Sequence, residues 1–201
     1  MTGKDFEDRL ADSLDNLVGN NGVALLRKQS FSFRRGSFQM SQEADILVDS
    51  RDDSLYSAFE AKSRNFGKVR PNGVTGLYFS KDYTEEQIQK EVEYARLSGR
   101  RFYVAIELLD FRGSDSAAFL LPLSLFETDL ERDLTKVTWE KIAYIGVYIG
   151  GTKSLKFDTG TLDTVDAIGA KYSDNPELVE DWVEEEDDGE TLPSEINPTV
   201  R

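Results

Sequence analysis

Apolar and polar positions first mark out a helix. Between residues 4 and 18, Phe6, Leu10, Leu14, Leu17 and Val18 recur on one stripe with Asp5, Asp8 and Asp12 outside it, which predicts an amphipathic helix. Gly19-Asn20-Asn21-Gly22 ends it. The pattern then changes to short apolar runs. Residues 23–26 begin a strand directed toward Phe31 and Phe33, and a turn containing Gly36 leads to a second strand over 43–48. The polar turn at 50–54 joins that strand, as a hairpin, to a third over 56–62. Residues 63–80 are irregular and rich in Gly and basic side chains, a length typical of functional or disordered loops. Thr84 reads as an N-cap with Gln87 as its capping-box partner, for a helix running to about Leu97 and stopping at Ser98-Gly99. Residues 102–108 then form a largely buried strand.

The second half is patterned more loosely. Residues 118–123 and 142–149 read as strands, Gly150-Gly151 as a hairpin turn leading to 155–157, and 164–170 as a short helix. Trp139 and Tyr144 read as core. Residues 146–154 look like a phosphate loop, but Gly151-Thr152-Lys153 breaks the required spacing, and that reading is excluded. From Asp174 onward acids dominate, including five in succession at 184–188, a composition that cannot bury enough apolar surface to order itself. Trp182 offers a docking point there for a partner protein. Three regions follow: a core over 1–109, a β-rich extension packed on it over 110–173, and an acidic, disordered tail over 174–201.

Composition narrows the chemistry. The chain has 201 residues, no cysteine and no histidine. Disulfides, thiolate metal sites and Cys nucleophiles are excluded, as are Ser-His and Cys-His triads. Catalysis must run on carboxylates, lysine, hydroxyls and a metal held by oxygen. No apolar run is long enough to span a membrane and no signal-peptide core follows Met1, so a cytoplasmic protein is expected. The net charge of −14 argues at face value against nucleic acid as a partner. A high-salt cytoplasm, where dense surface carboxylates maintain hydration, accounts for it equally well and points to a halophilic archaeal or viral source.

Within this frame one constellation carries chemistry. Alternation in the third strand puts Glu60 and Lys62 on one face and Phe59 and Ala61 on the other. Asp45 interrupts the neighbouring apolar run and points away from Ile46 and Val48. Two carboxylates and an ammonium on adjacent strands suit a hard divalent cation, Mg²⁺ or Mn²⁺, and a phosphate. Lys62 is assigned to electrostatic stabilisation and water positioning rather than to base catalysis. Glu7, one step off the apolar stripe of the first helix, reads by itself as a solvated helix glutamate.

Asp45 with Glu60-Ala61-Lys62 resembles the PD-(D/E)xK nuclease superfamily, with Ala44 in place of the usual proline before the first acid. The element order is that of its restriction-endonuclease-like αβββαβ core, an α/β fold with a central mixed sheet. Phe6-Glu7, Tyr78-Phe79-Ser80, Gln87 through Tyr94-Ala95, Gly99 and Val104-Ala105-Ile106 further resemble archaeal Holliday junction resolvases, over about residues 4–109. The resemblance implies that Asp45 and Glu60 ligate the metal, that the Ala61 carbonyl is a further ligand, and that Glu7 is another acid near it. It also implies that Lys62 serves the nucleophile, that Ser63 lies beside the site, and that the chain acts as a homodimer on four-way junctions.

Charge distribution supports a nucleic-acid partner. No acid occurs from Gly22 to Gln42, where Arg27, Lys28, Arg34 and Arg35 stand, or from Ala61 to Lys81, where Arg64, Lys68 and Arg70 accompany Lys62. In so acidic a chain, two such windows flanking the carboxylates are where a nuclease would hold backbone phosphates. The expectation is a metal-dependent endodeoxyribonuclease acting on branched DNA. A restriction- or repair-type nuclease on the same fold is the nearest rival, and a catalytically idle DNA- or protein-binding scaffold is the rival from another class. Copies would pair through the 102–108 strand with its neighbouring helix, or through 142–149.

Overall fold

The computed structural model describes residues 3–26, 44–66, 76–112, 114–156 and 158–177. The basic positions Arg27, Lys28, Arg34, Arg35, Lys68 and Arg70, and the tail from residue 178, lie outside the described residues. In chain order the elements are α1 (Gly3–Val18), β1 (Gly22–Leu26), β2 (Ile46–Ser50), β3 (Ser57–Asn65), β4 (Gly76–Tyr78), α2 (Glu85–Ser98) and β5 (Arg101–Leu109). There follow β6 (Ser116–Pro122), α3 (Leu123–Glu131), β7 (Lys136–Thr138), α4 (Trp139–Ile145), β8 (Val147–Gly150) and α5 (Thr159–Asp174).

Six strands form one sheet in the order β1-β2-β3-β5-β6-β8, and β4 pairs with β7 in a small separate ladder. Only β3 and β5 run parallel; every other pair is antiparallel. Antiparallel neighbours need only short connections, whereas the parallel pair needs a crossover, which α2 supplies. The protein is therefore a mixed α/β molecule with a mostly antiparallel central sheet. Among the described residues no helix is long and apolar enough to cross a membrane.

Both faces of the sheet are covered, and alternation along β5 shows how. Tyr103 and Ala105 point to a core shared with Phe6, Leu10, Leu14 and Val18 of α1 and with Leu162 and Val165 of α5. Phe102, Val104, Ile106 and Leu108 point to the opposite core, with Ile88 of α2, Leu125 and Phe126 of α3, and Ile142 of α4. A central strand buried on both faces must be apolar throughout, as 102–108 is. That burial, with β3 and β6 on either side, removes β5 as a surface for pairing copies.

The apolar stripe of α1 and the start, stop and left-handed Gly99 cap of α2 follow the sequence pattern. The hairpin of β2 and β3 is present, with Ile46 opposite Phe59. Three expectations change. Residues 142–149 are not one strand: α4 ends at Gly146, where a Cβ would lie 2.9 Å from the Cβ of Phe119, and only then does β8 begin. Tyr144 is consequently exposed, while Trp139 is core. The helix expected at 164–170 is the longer α5, started by a capping box between Asp158 and Thr161. The 110–173 segment carries α3, α4 and α5 beside its strands, and β6 and β8 complete the same sheet as β1–β3 rather than packing on it.

Candidate functional site

The hairpin register fixes the first part of the site. Just before the Ile46–Phe59 pair, the Asp45 backbone N–H donates to the Phe59 carbonyl at 3.0 Å, which holds Asp45 beside β3 at the end of the ladder. Its Oδ2 accepts the Ala61 N–H at 2.9 Å, so one carboxylate oxygen is anchored to the neighbouring strand. Like charges held close together on neighbouring strands repel, and the Asp45 charge acts on Glu60 in this way. Glu60 is buried, with 5 % of its surface exposed. Burial pushes its carboxyl up to about 7; the Lys62 ammonium opposes the shift and Asp45 adds to it.

Two groups converge on one oxygen of Glu60. Lys62 Nζ donates to Glu60 Oε1 at 2.5 Å, and Gln87 Nε2 donates to the same oxygen at 2.7 Å. Lys62 Nζ also lies 3.5 Å from Gln87 Oε1 and 5.1 Å from the centre of the Tyr83 ring. The sequence assigns Gln87 to a reciprocal cap with Thr84. Thr84 Oγ1 does accept the Gln87 N–H at 3.3 Å, but the Gln87 side chain turns to Glu60 instead. A residue chosen for helix initiation thus delivers its amide to the carboxylate.

Behind Gln87, one turn along α2, Glu91 is 1 % exposed and accepts a hydrogen bond from the Tyr83 hydroxyl. Burial raises its carboxyl to about 9, and the Glu60 charge adds to the shift. Glu7 of α1 feels the same field. Its carboxyl is raised by burial first, then by Asp45 and Asp8, with Lys62 pulling the other way. Asp45, Glu60, Lys62 and Glu7 are therefore one electrostatic unit. Among the described residues no group of three or more carboxylates gathers closely enough to hold a metal.

The remaining candidates point elsewhere. Ser63 follows Lys62 on the opposite face of β3, and its hydroxyl donates to Glu107 Oε2 at 3.1 Å. Glu107 is fully buried, accepting also from Ser116 Oγ at 3.1 Å and Arg9 Nη2 at 2.5 Å. Ser63 thus fixes the strand carrying Lys62 rather than facing the carboxylates. Arg64 donates to the carbonyls of Ser63 and Asp82, with the Asp82 carboxylate 3.6 Å away. It holds the β4–α2 connection against β3, and a third of its side chain remains exposed.

Sequence reasoning passed over Glu91, Tyr83, Arg9 and Glu107. A signal existed for the two acids. Glu91 interrupts the inward stripe of Ile88, Val92 and Ala95, and Glu107 interrupts the apolar run of β5. A carboxylate on a buried face is costly without partners. Neither a known protein family nor any curated protein matches this chain.

Proposed function

We propose that this protein is a metal-dependent endodeoxyribonuclease whose α1–β1–β2–β3–α2–β5 unit is a restriction-endonuclease-like core. The observation that carries the reading is the Asp45–Glu60–Lys62–Gln87 constellation, in which two neighbouring carboxylates meet one lysine where β2 begins beside β3. The donor set suits Mg²⁺ or Mn²⁺, because such ions are held through one or two carboxylates with the rest of the shell from water and substrate phosphate. Asp45, Glu60 and the Ala61 carbonyl would hold the ion. When bound, the ion supplies Lewis-acid stabilisation and lowers the pKa of the attacking water.

The chain's own groups supply the rest. The Lys62 ammonium, held by Glu60 and set over the Tyr83 ring, stabilises charge on the scissile phosphate and orients the attacking water. Gln87 fixes the Glu60 rotamer, so that the carboxylate does not have to reorganise during the reaction. Branched DNA is the preferred substrate and a homodimer the acting species, since two active sites at a fixed separation read shape rather than sequence. With β5 internal, α4 offers a surface for pairing, where Tyr144 is 53 % exposed.

The test is nicking of an immobile four-way junction and of a linear duplex of the same sequence, with Mg²⁺, with Mn²⁺ and with chelator. Glu60→Gln and Lys62→Ala should each slow cleavage by about 10²–10³-fold. Metal-dependent cutting that survives both substitutions would refute the site. Cutting of duplex and junction at equal rates would leave a restriction- or repair-type nuclease, and no cutting with intact DNA binding a scaffold.

A further inference from the structure

A second polar site lies at the other side of the sheet, where β8 turns back at residues 150–155. The turn is closely built. Gly150 has a φ of +133°, and a Cβ there would come within 2.3 Å of the Ser154 carbonyl oxygen. A Cβ at Gly151 would meet the Ser116 carbonyl oxygen at 2.7 Å, so the turn rests directly on the start of β6. Arg9 of α1 donates to the Gly151 carbonyl at 2.8 Å, the hydroxyls of Thr152 and Ser116 are 2.9 Å apart, and the Lys156 N–H donates to the Ile149 carbonyl at 2.7 Å. Buried Glu107 binds both Arg9 and Ser116, tying this frame to β5. The turn is thereby held from three sides.

What it presents is an open cleft of about 540 Å³ lined by Ser116, Tyr148, Thr152, Lys153, Ser154 and Lys156. Lys153 and Lys156 are exposed, and neither side chain forms an ion pair among the described residues. In a chain of net charge −14, two cations side by side in one cleft contrast with their surroundings. Asp115 is the one acid on the rim. Tyr148 leans edge-on against Phe119, with ring centres 5.9 Å apart, and keeps 59 % of its surface exposed. Two cations beside an exposed aromatic ring suit a ligand that is anionic at one end and a flat π-system at the other.

We propose that this cleft holds one nucleotide of a nucleic-acid strand, its phosphates against Lys153 and Lys156 and its base stacked on Tyr148. The proposal goes beyond the nuclease reading. β8 lies three strands from β3, about 14 Å at the usual strand spacing, so the cleft contacts a different part of a bound strand from the carboxylates. It would hold a single-stranded or splayed arm, because a base can stack on a side chain only once it has left its duplex neighbours.

The experiment is fluorescence anisotropy in chelator, with the full chain and two labelled 12-mers, one of deoxythymidine and one abasic throughout. Inorganic phosphate serves as competitor. Lys153→Ala/Lys156→Ala should weaken both oligomers and lower the salt slope by about 1.4 units, the loss of two single-strand phosphate contacts. Tyr148→Leu, which preserves apolar contact with Phe119, should weaken the thymidine oligomer about 5- to 150-fold and leave the abasic one unchanged. Tyr148→Phe should bind like the parent. Unchanged affinity and slope in the lysine variant, or equal loss on both oligomers in Tyr148→Leu, would overturn the proposal. So would competition by millimolar phosphate as strong as that by the oligomer, which marks a free-anion site. Cleavage by the parent, measured beside binding, separates the two readings: strand binding through the cleft with no metal-dependent cleavage refutes the nuclease alone. Cleavage with both cleft variants unaffected in binding refutes the cleft alone.

Discussion

Glu60 receives Lys62 and Gln87 at one oxygen, and its neighbour Asp45 receives the Ala61 N–H. Both carboxylates are oriented before any ligand arrives. Because burial lifts Glu60 to about 7, a sizeable fraction of the protein carries a proton there at neutral pH. A cation favours the ionised form, so Mg²⁺ binding should expel that proton. Calorimetry at pH 7 in two buffers of different ionisation enthalpy should show proton release, absent in Glu60→Gln. Identical enthalpies in both buffers would contradict it. Glu91 gives a second prediction with a definite sign. Its folded-state value of about 9 lies above the ordinary 4.5, so the folded state binds more protons than the unfolded one between those values. Its contribution is fully present below pH 4.5 and is lost as pH rises toward 9. Thermal midpoints should fall from pH 6 to 9, and Glu91→Gln should flatten that fall; parallel profiles would show that Glu91 does not carry it. The acid pair and Lys62 were legible from strand alternation alone. Gln87 was legible as a cap and not as a ligand to Glu60, because capping is local and the Glu60 contact spans 27 residues.

Among the elements, the helices of the second half depend on a buried ion pair. Lys141 of α4 donates to both oxygens of Asp129 in α3, at 2.7 and 2.9 Å, and the Tyr172 hydroxyl of α5 donates to Asp129 Oδ1 at 2.5 Å. Asp129 is fully buried. Removing one charge strands the other, so Asp129→Ala should destabilise the protein by about 3–5 kcal/mol. Asp129→Leu/Lys141→Met should recover much of this, as measured by chemical denaturation. A double variant as unstable as the single one would show that the pair is worth more than its burial costs. None of this was readable beforehand. The run 142–149 is apolar with β-branched residues and fits a strand by composition. What divides it is tertiary: Trp139, Ile142 and Ile145 turn inward as a helix, and the chain must then pass close to Phe119 at Gly146. Elements with an unambiguous period, such as α1 and α2, were legible, as were the strands at 23–26, 102–108 and 118–123; the mixed run 142–149 was not.

At the scale of the molecule, the two halves share both cores. The α1 stripe packs with Ala118, Leu120, Ile149, Leu155, Leu162 and Val165 as well as with β2 and β3. A fragment ending at residue 109 would make β5 an exposed, long apolar edge and uncover much of α1, the conditions for aggregation. Such a fragment should lack a cooperative thermal transition and bind hydrophobic dye. A fragment that unfolds cooperatively would restore 1–109 as a self-sufficient domain.

The clasp of Arg9 on the Gly151 carbonyl joins groups 142 residues apart. During synthesis at about 5–20 residues per second, Arg9 is made roughly 7–28 s before Gly151. Through that interval Phe6, Leu10 and Leu14 have only part of their final cover, while the acids on the outer face of α1 keep the nascent segment hydrated. The helix is made well before the partners that complete its cover. A holding chaperone should therefore engage α1 early in translation and be displaced as α5 emerges.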